Sequence, residues 1–314
     1  MIGLRYEALI LLRSPGQLGL IGAVFLGGLL SIWMGTTIHA VQTENVSQLE
    51  QHQEASLHHA RTFSEKPPNT GYAAYLAQLP TANAPTALAA LALGGRDYWP
   101  YDSELRTLAV DNQIDNQALV NPLRSYAGSF DLTFVLAVFL PLALIALCSS
   151  VASRERESGR ELMFWQDRRL VRRRLWVRHA VLLAVAFLLL VLAGVWSGAS
   201  LLTLVGVWFP VIVVHQTFWL MVIRWVCRET NSTEFNAAAA VSLWALLTYL
   251  VPGVGDAAIS SFYPAKQGPE LVMEHRHHLN GAWDRPRGEA LSEFRGRHAS
   301  FANVDVTEEK FTWA

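Results

Sequence analysis

Two clusters of histidines have the residue type that could bind a metal ion. Three histidines lie within the stretch 275–278, and His58 and His59 form a second pair. Adjacent residues on a helix point in different directions, and no cysteine lies near either group, so neither spacing makes a chelate by itself. A solvated helix face is the favoured interpretation, with a metal site as the alternative.

Motifs for nucleotide binding or hydrolysis are absent from the sequence. There is no Gly-rich loop ending in Lys and Ser or Thr, no nucleophile elbow and no His-Glu-x-x-His helix. We therefore predict no catalytic residue, no metal ion and no cofactor bound by this chain. The chain thus has no visible means of binding and hydrolysing ATP by itself.

An arginine-rich stretch is the most informative polar segment. Residues 154–178 contain nine arginines in twenty-five positions. The stretch opens with alternating charges around a glycine and continues into an apolar group, which predicts a short amphipathic helix at the membrane surface or in the groove of a partner. Its candidate docking residues are Arg154, Glu155, Arg156, Glu157, Gly159, Arg160, Glu161, Leu162, Phe164 and Trp165.

A second set of candidates lies in or beside apolar segments. Asp131 could be functional because an ionisable group this close to a bilayer is costly, but capping of a helix N-terminus is the favoured interpretation. Each proline removes a backbone hydrogen bond and predicts a kink. The set could line a pathway or pack inside a bundle: Phe130, Asp131, Phe134, Pro141, Pro210, His215 and Trp219.

The elements that position these residues are apolar helices. Hydrophobic residues make up 52% of the chain and charged residues only 16%, a balance typical of membrane proteins. About 20 apolar residues cross a bilayer as a helix. Five segments approach this length, so we predict a mainly α-helical, polytopic transmembrane bundle with spans at 17–37, 130–151, 180–196, 201–226 and 237–254.

Arginine distribution predicts the orientation, because basic residues are retained on the cytoplasmic side of a bacterial inner membrane. The stretch 154–178 is then cytoplasmic, and alternation of the spans puts the N-terminus with Arg5 and Arg13 on the same side. Regions 39–129 and 255–314 would both lie outside. A net charge of −1 gives no overall attraction to nucleic acid, and none is predicted as a partner.

The resulting organisation has six parts. Residues 1–38 form a cytoplasmic entry helix and the first span, 39–129 an external region, 130–151 the second span, and 152–179 the arginine-rich loop. Residues 180–254 hold three further spans, and 255–314 form a second external region. Both external regions are expected to be mostly helical: the polar stretch 41–61 should continue the first span, and 73–79 and 86–93 should be short helical pieces.

Two stretches resemble a known family. Glu155-Arg156-Glu157-Ser158-Gly159 is similar to a segment after the second span in permease subunits of the type-2 export class of ABC transporters. A longer stretch, Asn121 to Val135 continuing through Leu140 to Ala146, resembles a subgroup classified as domain of unknown function 3526, whose members carry large external insertions.

The resemblance implies a function and its partners. It implies a permease subunit of an ABC exporter, with residues 160–165 as a coupling helix that docks on a cytoplasmic ATPase. A second permease copy or a paralogue would complete a dimer in the lipid bilayer, and a periplasmic partner could bind the external regions. The subgroup usually ends with a sixth span, and only five are predicted here.

Two other functions use the same features. ATP-driven motion could be transmitted to a periplasmic partner without translocation, as the scarcity of polar residues in the spans suggests. Alternatively, the chain could be a membrane-anchored receptor or scaffold that has no ATPase.

Overall fold

A computed structural model of the chain describes residues 9–11, 13–65, 78–94, 96, 101–106, 130–151, 153–157, 168–227, 232–264 and 268–301. These residues form a mainly helical protein with four helices long and apolar enough to cross a membrane. The four helices are compatible with a membrane location. The described residues fall into two compact units that divide between Thr248 and Tyr249.

Helix α1 (Pro15–Glu65) is a single helix of 51 residues. Pro15 suits the first helical position because the N–H that it lacks would have no partner there. At 1.5 Å per residue, α1 is about 75 Å long, so less than half of it is needed for a bilayer core of about 30 Å. The polar stretch 41–61 thus continues the first apolar segment as predicted.

A short hairpin lies beyond the apolar half of α1. Strands β1 (Gln78–Ala82) and β2 (Asp102–Arg106) pair antiparallel, with a 3₁₀ turn at Ala87–Ala90 between them. The prediction of helix at 73–79 is wrong at its end, since Leu79 lies in β1 directly before Pro80, where helical backbone is disfavoured. Residues 73–77 lie outside the described residues.

Among the described residues, helix α2 (Leu132–Cys148) is the shortest apolar helix, with 17 residues. It contacts all four long helices, and most of its side chains are buried among them, including Leu140, Leu144 and Ile145. A helix that packs against others on most of its surface is apolar all round. The second predicted span is therefore the central helix of the bundle.

Besides α1, three longer helices pack against α2. Helix α4 (Arg168–Ser197) follows the five-residue helix α3 (Ser153–Glu157), and α5 (Leu201–Val226) and α6 (Thr233–Phe262) come next. Helix α4 begins twelve residues before the predicted third span because hydropathy marks the apolar part of a helix and not its first residue. Gly198, with a φ of 71°, ends α4 in the left-handed conformation common after a helix.

Each of α2, α5 and α6 contains one π-helical turn. The turns are Val135–Phe139, Leu204–Trp208 and Leu246–Leu250. In each helix a proline stands two residues after the turn: Pro141, Pro210 and Pro252. The wider turn accommodates a residue that has no N–H to donate, as expected where helices tolerate proline in an apolar environment.

The second unit contains the end of α6 and two further helices, α7 (Gly268–Asp284) and α8 (Arg287–Arg297). Glu293 of α8 binds Arg285 at 2.7 Å and also Arg297, one turn further along the helix. The described part of 255–314 is thus helical, as predicted.

Candidate functional site

Three hydrogen bonds join α3 to the first residue of α6. Thr233 donates its backbone N–H to Glu157 Oε1 at 2.7 Å and its hydroxyl to Glu157 Oε2 at 2.8 Å. The Ser153 hydroxyl lies 2.8 Å from the same Thr233 oxygen. Because a hydroxyl has one hydrogen to donate, Ser153 is the donor in this pair. Ser153 is fully buried, whereas Glu157 is exposed.

The start of α6 receives caps from two segments. The Ser232 side chain accepts from the Phe235 N–H at 3.2 Å, which is the usual local cap. The Glu157 carboxylate adds a negative charge where the helix dipole is positive. On its other side α3 follows α2 through a turn in which the Arg154 N–H donates to the Ser150 carbonyl at 3.1 Å. Helix α3 therefore links α2 to α6.

The predicted docking residues lie in and after α3. Arg154, Glu155, Arg156 and Glu157 belong to this helix. The structure brings Glu157 against α6, a contact that the sequence did not predict. The remaining docking candidates lie outside the described residues: Gly159, Arg160, Glu161, Leu162, Phe164 and Trp165.

Asp131 caps α2, as predicted. Its Oδ1 accepts from the Phe134 N–H at 2.7 Å, and the residue is 5% exposed. Its Oδ2 accepts from the Leu93 N–H at 2.9 Å, and Thr133 donates its N–H to the Leu91 carbonyl at 3.2 Å. Gly94, with a φ of 54°, turns the chain directly after Leu93. Asp131 thus fastens the segment between the two strands onto the end of the bundle.

The same segment is held to α1. The Gln42 side chain donates to the Arg96 carbonyl at 3.1 Å, and Arg96 Nε donates back to Gln42 Oε1 at 3.3 Å. A Cβ at Gly35 would lie 1.9 Å from the Ala90 carbonyl oxygen, so the close approach of α1 to the 3₁₀ turn requires glycine there. The turn therefore packs on α1 and α2 together.

Pro141 leaves two carbonyl groups of α2 to be satisfied by α5. A residue with an N–H at 141 would donate to Ala137 in an α-helix, or to Leu136 in the wider π register. In the structure the Ala137 oxygen accepts from His215 Nε2 at 3.2 Å, and the Leu136 oxygen accepts from Gln216 Nε2 at 3.4 Å. A carbonyl only accepts, so His215 carries its proton on Nε2 in this contact.

The side of α5 that faces α2 contains further polar atoms. Gln216 is fully buried and Trp219 is 3% exposed. Gln216 Oε1 and Trp219 Nε1 are buried without a hydrogen-bond partner among the described residues. The His215 ring stands edge-on to Trp219, with 6.4 Å between the ring centroids. Polar atoms so placed are costly in an apolar core, and they mark α2 and α5 as a candidate functional contact.

The other predicted pathway residues lie near these contacts. Phe130 and Phe134 pack with 5.8 Å between their ring centroids at the start of α2. Pro210 follows the π turn of α5 and is exposed. The structure thus groups Phe130 and Phe134 with Asp131, and Pro141 with His215 and Trp219.

Gln216 and Thr233 are among the residues of these clusters that sequence reasoning missed. Gln216 is the single amide side chain between Leu201 and Val226, and a lone amide in an apolar helix is a signal for an interhelical hydrogen bond. Thr233 carried a weaker signal, because it follows Ser232 at the start of an apolar helix. Within the described ranges, no three His, Cys, Asp or Glu side chains are grouped as metal ligands would be.

Comparison of the chain with family models, curated proteins and solved structures finds no match.

Proposed function

We propose that this chain is the membrane-spanning subunit of an ATP-driven exporter in a bacterial inner membrane, with its N-terminus in the cytoplasm. A separate cytoplasmic ATPase would bind ATP and Mg²⁺ and dock on the segment 154–165. A second copy of the chain or a paralogue would complete the transporter.

The contact of Glu157 with Thr233 is the observation that carries the proposal. A partner docked beside α3 pushes on a segment joined covalently to α2 and by hydrogen bonds to α6. The partner can drive a change only by binding two helix arrangements with different affinity. The π turns of α2 and α6 support two arrangements, because wider turns are frequent at sites where helices bend.

Affinity purification of the detergent-solubilised protein from its native membrane tests this function. Wild type is expected to recover an ATP-binding subunit, and the double variant Glu157→Arg with Gly159→Pro is expected to lose it. Glu234→Arg is the matched control, since this exposed carboxylate adjoins Thr233 in α6 and lies outside the segment 154–165. Loss in the control as well, or no ATPase with wild type, contradicts the proposal; the latter result favours a receptor or scaffold.

The variant Thr233→Val distinguishes docking of the ATPase from transmission of motion into the helices. This variant removes the hydroxyl that joins Ser153 to Glu157 and leaves the charges of the docking segment unchanged. We expect the ATPase still to co-purify, but its turnover to respond several-fold less to the permease. An unchanged response would show that the hydrogen bonds of the Thr233 hydroxyl to Glu157 and Ser153 do not transmit motion.

Mechanotransmission without transport is the second candidate function, and the continuity of α1 favours it. Helix α1 passes without a break from the first apolar segment to Glu65. The turn between the strands is fastened to the same helix through Gln42 and Gly35. Motion of the bundle would therefore reach the external region directly.

A label on the distal half of α1 distinguishes this function from transport. With Ser47→Cys carrying a fluorophore, ATP should change the signal in the reconstituted complex, and a Gly-Gly insertion after Val41 should abolish that change while ATP turnover continues. Persistence of the signal change after the insertion would argue against transmission through α1.

A further inference from the structure

A cavity of about 250 Å³ lies where α1 begins, α2 ends and α4 passes its first turns. Four aliphatic side chains form one part of its wall. The polar part consists of two hydroxyl groups, one amide and three guanidinium groups: Ser14, Ser150, Gln17, Arg154, Arg174 and Arg178. Among the described residues that line it, none is acidic.

The three arginines converge from two segments. Arg174 and Arg178 lie one turn apart on the same face of α4, and Arg154 comes from α3. Arg178 also donates to the Leu147 carbonyl at the end of α2, which fixes its direction. Guanidinium groups match phosphate oxygens in geometry, and they often bind them in pairs.

The first turn of α1 adds an amide side chain, that of Gln17, to the wall of the cavity. Gln17 Oε1 is buried without a hydrogen-bond partner among the described residues. An amide can turn to present either its oxygen or its N–H₂ group, so Gln17 can donate to a phosphate oxygen or accept from a free hydroxyl of the headgroup.

The surroundings of the cavity favour a lipid as the source of the phosphate. Exposed apolar side chains adjoin the lining residues in sequence: Leu9 is 50% exposed, Leu18 47% and Trp176 40%. A free phosphate ion gains nothing from apolar surface, whereas the glycerol and acyl chains of a phospholipid do. The volume is below the range of about 300–1,000 Å³ typical of pockets for drug-sized ligands, so it suits a headgroup alone.

We propose that this cavity binds the phosphate headgroup of an anionic phospholipid. Basic pockets between membrane helices bind such headgroups in general, because the phosphate is drawn to arginine and the acyl chains stay in the bilayer. Binding would hold α1, α2 and α4 together at the end of the bundle where α3 begins. The site lies beyond the proposed export function and does not require a docked ATPase.

Unfolding temperature in detergent, measured while lipid is added, tests the site. A ligand that binds the folded state stabilises it in proportion to ln(1 + [L]/Kd). Phosphatidylglycerol should raise the unfolding temperature of wild type saturably, and phosphatidylcholine at the same concentration should raise it less. The double variant Arg154→Gln with Arg174→Gln should bind phosphatidylglycerol at least tenfold more weakly.

The matched control is Arg172→Gln with Arg173→Gln. It removes the same charge from neighbouring positions of α4 that do not line the cavity, and it should retain the wild-type response. Equal loss in the control, or equal effects of the two lipids, would overturn the proposal. A saturable response to inorganic phosphate that phosphatidylglycerol does not exceed would assign the site to free phosphate and overturn the lipid source.

A second variant, in which no charge changes, tests the site in case the arginine variant misfolds. Gln17→Leu leaves every charge in place and replaces the amide with an apolar side chain of similar size that cannot hydrogen-bond. We expect several-fold weaker binding of phosphatidylglycerol with an unliganded unfolding temperature close to that of wild type. Unchanged binding by this variant would remove Gln17 from the site and contradict the assignment to this cavity.

Discussion

Asp131 and Ser200 each cap an apolar helix, but they differ in the number and strength of the hydrogen bonds that they accept. Ser200 is exposed, and its hydroxyl accepts one hydrogen bond, from the Thr203 N–H at 3.4 Å. Asp131 is buried and accepts two shorter bonds, one of which comes from Leu93, 38 residues earlier in the chain. A carboxylate with two backbone donors is strongly held, since bonds to charged acceptors are shorter and stronger.

Asp131→Ala is expected to lower the free energy of unfolding by about 2–4 kcal/mol, because it removes a cap and leaves the buried Leu93 N–H without its acceptor. Ser200→Ala is expected to cost about 1 kcal/mol or less. Unfolding of both variants in mixed micelles, followed by circular dichroism, measures the difference. Equal losses would show that the bond to Leu93 adds no stability.

At the scale of elements, the prolines determine how α2 and α5 join. The π turn and Pro141 together free two carbonyl groups, and the side chains at 215 and 216 of α5 bind both. His215 and Gln216 are neighbours in sequence, and so are the two residues whose carbonyl groups they bind. Hydrogen bonds between helices in membranes contribute about 0.6 kcal/mol on average, with a maximum near 1.7 kcal/mol. Two such bonds orient one helix against another without a large gain in stability.

A double-mutant cycle between Pro141→Ala and Gln216→Leu tests this arrangement. Alanine restores an N–H that can bind the freed carbonyl groups, so loss of the Gln216 amide should cost less in its presence. We expect a coupling free energy of about 0.5–1.5 kcal/mol from unfolding of the four proteins. The matched cycle of Pro210→Ala with Gln216→Leu should give a coupling near zero, and equal coupling in both cycles would refute the explanation.

At the scale of the whole molecule, the number of spans depends on α2. Its 17 residues give a length of about 25 Å, slightly less than a bilayer core of about 30 Å. A helix enclosed by longer helices can still cross, because the surrounding protein shields its ends from lipid. With the N-terminus in the cytoplasm, as proposed above, a crossing by α2 would put the arginine-rich stretch inside and residues 255–314 outside. Without that crossing, the arginine-rich stretch would lie outside and residues 255–314 inside.

Labelling of single cysteines decides between these topologies. In a variant that lacks Cys148 and Cys227, an impermeant maleimide applied to spheroplasts should label Ser47→Cys and Ser292→Cys and should label Arg172→Cys only after permeabilisation. Ser47→Cys is the control, because five and four spans both place it outside. Labelling of Arg172→Cys with protection of Ser292→Cys would mean that α2 does not cross.

The sequence by itself determined the helical class, the apolar segments, the cap at Asp131 and the continuation of α1. These features depend on composition and on residues within a few positions of one another. The contacts that form the candidate site depend on the tertiary structure, because Thr233 lies 76 positions from Glu157, and His215 lies 78 positions from the carbonyl that it binds. Proline fixes locally which carbonyl groups lose a donor, whereas helix packing decides which side chain replaces it.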